Sequence, residues 1–99
     1  LQGLLLMPKK KIPKKFSPWK NLWKEWHTWQ NNHSNIKPLQ ACIGFVNSLA
    51  EIDYIVVGVD SFSQFKEIVE VKKDLNKIDF PNIFCNDEKL LYPSNWPNL

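Results

Sequence analysis

Gly58, Ser61, Gln64 and Glu67 recur at three-residue steps and form the strongest chemical signal in the chain. They follow YIVVG at 54–58, a continuous apolar run of the kind found in parallel strands covered on both faces. Ser61 and Gln64 make the S-x-x-Q pattern that caps a helix start. A helix N-terminus presents unpaired N–H groups and the positive end of the helix dipole. A strand that hands over to a helix here gathers those donors where a phosphate can sit. Gly58 permits a sharp turn and lets a ligand approach without a Cβ in the way. The same features also serve an ordinary strand–helix turn, where glycine and cap act for folding alone.

Other reactive side chains are less well arranged. Cys42 and Cys85 share no metal-type spacing with each other or with His27 and His33, so no metal site is expected. Cys42 falls on an apolar helix face and reads as a small core residue. Tyr54 and Tyr92 have no lysine and aspartate placed to tune a proton donor. No catalytic residue is therefore assigned. Trp19, Trp23, Trp26 and Trp29 line one helix face. Packing is the expected use of that face; contact with a membrane or a substrate lid are the alternatives. PKKKIPKK at 8–15 reads as a solvated loop, and base stacking by the neighbouring tryptophans is the sharper nucleic-acid alternative.

The elements that position these groups follow from pattern. Residues 1–6 read as a strand, although leucine is a weak strand former. Three prolines make 7–18 a loop. Helices are expected over 19–31 and 38–50, with Pro38 at a first helical position. A strand at 54–58 and a helix at 62–77 follow. Residues 80–99, rich in proline and asparagine, form an irregular tail that packs on something through its aromatics. Strands alternating with helices give an α/β fold with a parallel sheet. Two strands cannot complete such a sheet, and LQGLLLM opens the chain inside an apolar segment with no initiating methionine. The expectation is the C-terminal portion of a (β/α)8 TIM barrel in residues 1–79, incomplete as it stands.

Bulk properties exclude rather than select. The 99 residues suit one small domain. Hydrophobic content of 43% argues against wholesale disorder. The net charge of +3 compels no polyanionic partner. Its distribution is uneven, with seven lysines and no acid in residues 1–24. The chain has no arginine, which weakens any reading that needs bidentate phosphate or guanine recognition. Two isolated cysteines suit a reducing compartment, and no run approaches a spanning helix. A cytoplasmic location is expected, with neither nucleic acid nor membrane as partner.

EIDYIVVGVDSFSQFKEI resembles the last strand and helix of the aldo/keto reductase family, whose form there is an apolar strand followed by G-x-x-S-x-x-Q-x-x-E-N. LQGLL at 1–5 is similar to the Q-G-L-L that ends that family's seventh strand. LQACIGFVNSLAEID resembles the helix leading into the last strand. The resemblance covers residues 1–70 in order. It implies the barrel fold and NADPH-dependent reduction of aldehydes and ketones, with a small carbonyl compound as substrate. It places Gly58 and Ser61 by the adenosine phosphate, Gln64 and Glu67 at the adenine end, and Gly3 near the pyrophosphate, with Val59 and Asp60 also among the cofactor-binding residues. Trp19 and Phe16 would border the substrate mouth, and the catalytic residues would lie upstream. Two departures stand out. Asp60 occupies a stretch where the family often has a base for the 2′-phosphate, which opens NAD as well as NADP, since an acid can accept from a ribose hydroxyl. Ile68 stands where the family has its adenine-binding asparagine. The alternative function is a small basic–aromatic binding module for nucleic acid or anionic membrane.

Overall fold

The computed structural model describes residues 2–71 and 78–99. Its regular elements are all helical: α1 (Lys20–Asn32), α2 (Pro38–Asn47), α3 (Phe62–Val69) and α4 (Glu88–Leu91), with 3₁₀ turns at Leu4–Leu6, Lys9–Lys11, Lys14–Trp19 and Pro93–Asn98. No strand occurs among the described residues. The expected α/β fold, a portion of a TIM barrel, is thereby overturned.

Both expected strands fail for identifiable reasons. At 1–6, Gln2 and Gly3 take positive φ values of 47° and 81°. They turn the chain into the 3₁₀ turn Leu4–Leu6 and drive Leu4 into a core. Residues 54–59 form no regular element, and among the described residues no second strand is present for them to bond with. Tyr54 is 91% and Val56 98% exposed. Cross-strand pairs are what stabilise a strand, and apolar content alone does not make one.

The chain packs as two units, residues 1–34 with 81–99, and residues 35–80. In the first, Pro8 and Pro13 each open a 3₁₀ turn. Their carbonyls accept from Lys11 N at 2.8 Å and Phe16 N at 3.0 Å. Proline suits this place because it fixes φ and has no N–H to leave unpaired. The turns deliver Phe16, 2% exposed, into a core with Leu4, Trp23 and Leu90. Trp23, Trp26 and Trp29 are buried on α1, so the tryptophan face is a packing face.

Indole N–H groups lock this unit. Trp23 Nε1 donates to Phe16 O at 3.0 Å, and Trp26 Nε1 donates to Leu5 O at 2.9 Å. Trp19 Nε1 donates to Asp87 Oδ2 at 3.1 Å. Asp87 Oδ1 meanwhile caps α4 by accepting from Lys89 N at 3.0 Å. Residues 81–99 are thus held to Trp19, at the entry to α1, by a carboxylate that also starts their own helix. Trp96 donates to Leu90 O at 3.0 Å and meets the Phe16 ring edge-on at 5.0 Å. Phe16 and Trp19, expected at a substrate mouth, serve here as core and tether.

In the second unit, Pro38 opens α2 and the Gln40 side chain accepts from Lys37 N at 3.0 Å. α2 ends at Asn47, short of residue 50. Ser48 Oγ donates to Phe45 O at 2.6 Å, the local competition by which serine disfavours further helix. α2 packs against α3, and Phe45 meets Phe80 edge-on at 5.6 Å. α3 runs Phe62–Val69; most of the expected continuation toward residue 77 lies outside the described residues.

Phe16→Ala is expected to cost about 3–5 kcal/mol by leaving a cavity in the first unit's core. Trp23→Phe keeps most of the packing but strands the Phe16 carbonyl, at a cost of about 1–3 kcal/mol. Urea unfolding followed by tryptophan fluorescence would separate the two.

Candidate functional site

The junction at 58–67 lies wholly in the second unit. Its geometry is set by hydrogen bonds rather than by a sheet. Ser61 takes extended φ and ψ of −150° and 159°, and its Oγ accepts from Gln64 N at 3.2 Å. The Gln64 side chain reaches back over the first turn, where its Oε1 accepts from Asp60 N at 2.8 Å. Phe65 N donates to Ser61 O at 3.1 Å, closing the first helical bond. The S-x-x-Q pattern therefore caps the helix, with Gln64 taking the amide of Asp60 instead of the amide of Ser61 itself.

This division of labour leaves a particular set of donors. The cap uses the amides of Asp60 and Gln64. Those of Phe62 and Ser63, in the first turn, have no carbonyl one turn earlier to bond. Both residues are exposed. Sequence reasoning named side chains here, yet the groups best placed to meet an anion are these two main-chain amides. The capping pattern was the signal that located them.

Gly58 plays a narrower part than expected. Its φ does not lie in the left-handed region, and a Cβ built there meets nothing within 4 Å. The turn needs no glycine; what glycine provides is an unobstructed main chain beside the helix end. Val59, Asp60, Ser61, Gln64 and Glu67 are all exposed, as is Ile68 in part. The Asp60 carboxylate lies one residue before the cap, where the helix dipole favours a negative charge. Gly3, by contrast, belongs to the first unit. There its φ of 81° serves the turn into Leu4–Leu6, a conformation that glycine adopts at little cost.

The remaining reactive groups are used structurally or stand alone. His33 stacks on Trp29 at 4.3 Å, and its Nδ1 donates to Trp29 O at 2.8 Å. His27 Nδ1 pairs with Gln30 Oε1 at 3.0 Å. Burial raises the Cys42 thiol above its ordinary range, so it carries little thiolate at neutral pH. An open depression of about 620 Å³ runs along α1, lined by Asn21, Lys24, Glu25, Thr28, Trp29 and Asn32. It contains none of the expected site residues. Among the described residues no three His, Cys, Asp or Glu side chains come together as metal ligands, and no helix is long and apolar enough to cross a membrane.

No family model, curated protein or solved structure matches the chain.

Ser61→Ala removes the side-chain acceptor of the Gln64 amide at the start of α3 and is expected to destabilise that helix by about 1 kcal/mol. Amide exchange at Gln64 and Phe65 would report the fraying, while Gly58→Ala, with open space around it, is expected to leave exchange there unchanged.

Proposed function

We propose that residues 58–67 hold the phosphate end of a nicotinamide dinucleotide for an oxidoreductase of the aldo/keto reductase kind, acting on a carbonyl or alcohol substrate. The observation that carries this reading is the exposed, side-chain-capped start of α3, with the Phe62 and Ser63 amides free of helix partners beside an unobstructed Gly58. Oriented amides at a helix N-terminus are a general means of binding phosphate oxygens. The donor set fits a phosphate. In this unit Gly58 faces open space, so the adenosine would be held from one side only, by Gln64 and Glu67 at the exposed face of the helix.

Each residue has a stated part. The Phe62 and Ser63 amides donate to phosphate oxygens. Gly58 lets the nucleotide approach the main chain. Ser61 and the Gln64 Oε1 hold the first turn in place, a preorganising contribution, and the side-chain amide nitrogen of Gln64 is the part that would meet the adenosine. Asp60 bears on the choice of cofactor: its carboxylate repels a 2′-phosphate dianion and accepts from a ribose hydroxyl. NADP is what the resemblance implies, and Asp60 brings NAD forward. The bound cofactor would supply the hydride. These residues bind and orient it, and no proton transfer is assigned to them; Tyr54 is almost wholly solvent-exposed.

Titration of NADH and NADPH into the protein, followed by cofactor fluorescence or calorimetry, tests the reading. Weak binding in the millimolar range is expected, about −4 kcal/mol, tighter for NADH. Gly58→Val should weaken both, and Asp60→Asn should narrow the gap between them. The 99 residues alone should turn over no carbonyl substrate. Binding of neither cofactor, or affinity indifferent to both substitutions, would contradict the proposal.

A further inference from the structure

The first unit is strongly basic. Residues 1–34 and 81–99 carry eight lysines against three acids, a formal excess of five. Of the three acids, Asp87 is taken up by the Trp19 indole and the Lys89 amide. Lys9, Lys10, Lys11 and Lys14 are exposed. Among the described residues the one ion pair is Lys66 with Glu70 at 3.9 Å, in the other unit. Lys15 is different: its Nζ donates to Trp96 O at 3.2 Å and lies 5.4 Å from the centre of the Phe16 ring.

Sequence alone favours a solvated loop for 8–15, and the structure adds a constraint that a solvated loop lacks. Each lysine turn starts at a proline whose carbonyl closes it. The stretch is fastened to the core on both sides, by Leu4 before it and Phe16 after it, with Ile12 packed against that core between the turns. The ammonium groups therefore project from a fixed backbone, which lowers the entropy lost when a partner binds them.

The same packing decides what kind of partner fits. Trp23, Trp26 and Trp29 are buried, and Trp19 is partly buried against the core, so the tryptophans next to the lysines present little ring surface for stacking a base, as single-strand binders require. No arginine is available for bidentate reading of guanine. Ile12 is turned onto the core, which removes the apolar residue that would enter a lipid surface from the middle of the row. What remains is a cluster of exposed ammonium groups that project around the two turns. We propose that Lys9, Lys10, Lys11 and Lys14 form a docking surface for the phosphate backbone of double-stranded nucleic acid, held without reading its sequence. Affinity then comes from release of the counterions condensed on the duplex. Lys15, already spent on Trp96 and Phe16, contributes less.

Fluorescence anisotropy of the protein with short labelled DNA duplexes tests this. Four phosphate contacts predict a slope of log K against log salt of about −3.6, or a loss of about 150-fold between 50 and 200 mM salt. Lys10→Ser with Lys14→Ser should halve the slope to about −1.8, a loss of about 12-fold over the same range. Lys66→Ser, in the other unit, should leave it unchanged. Tryptophan fluorescence would confirm that the double variant stays folded. The proposal is overturned by absence of duplex binding at 50 mM salt, or by a slope that the double variant does not change. It is equally overturned if single strands or vesicles rich in phosphatidylserine bind more tightly than the duplex at the same salt, or if two unrelated duplex sequences differ more than about tenfold, the discrimination of a base-reading contact.

Discussion

The first unit depends on how a row of indoles disposes of its N–H groups. A buried tryptophan adds a large apolar area, but its N–H must find an acceptor or cost the unit stability. Here the acceptors are main-chain carbonyls of Leu5 and Phe16 for Trp26 and Trp23, and the Asp87 carboxylate for Trp19. Each bond reaches from α1, or from Trp19 at its entry, to a different part of the chain. Together they fix the segment that leads into α1, and they bring the residues after 81 onto the same helix. The lysine turns run into Phe16, whose carbonyl and ring are both engaged in the core.

The second unit obeys a different constraint. Its most apolar stretch, 54–59, lies outside any regular element and is largely solvent-exposed, with no strand among the described residues to take its amides and carbonyls. Order at its C-terminal end is supplied locally, by Ser61 and Gln64 and the Asp60 amide. That local origin matters for function. The start of α3 is built by residues within one turn of it, so it presents its amides without a completed sheet. The nucleotide seat proposed here needs only that turn and the open main chain at Gly58.

Legibility from sequence followed the range of the interactions. The tryptophan steps on α1, Pro38 at the start of α2 and the Ser61–Gln64 cap of α3 all act within a few residues, and each could be read from spacing. The strands could not, because a strand is completed by a partner elsewhere in the chain. YIVVG has the right residues, but lacks a neighbour to bond with. LQGLLL was misread for a second reason: the positive φ of Gly3 breaks the extended run, and Leu4 is drawn to a core formed with Leu90, far away in sequence. The attachment of residues 81–99 to α1 was equally hidden, since nothing in the spacing marks Asp87 as the acceptor for Trp19. At the site, the cap was visible, whereas its use of the Asp60 amide, and hence which amides stay free, emerged only from the geometry.

Hydrogen exchange at individual amides, with and without saturating NADH, is the most direct measurement of the central claim. The account predicts that exchange slows at Phe62 and Ser63 while Phe65, already bonded to Ser61 O, changes little. Equal rates at Phe62 and Ser63 in the presence and absence of bound cofactor would contradict it.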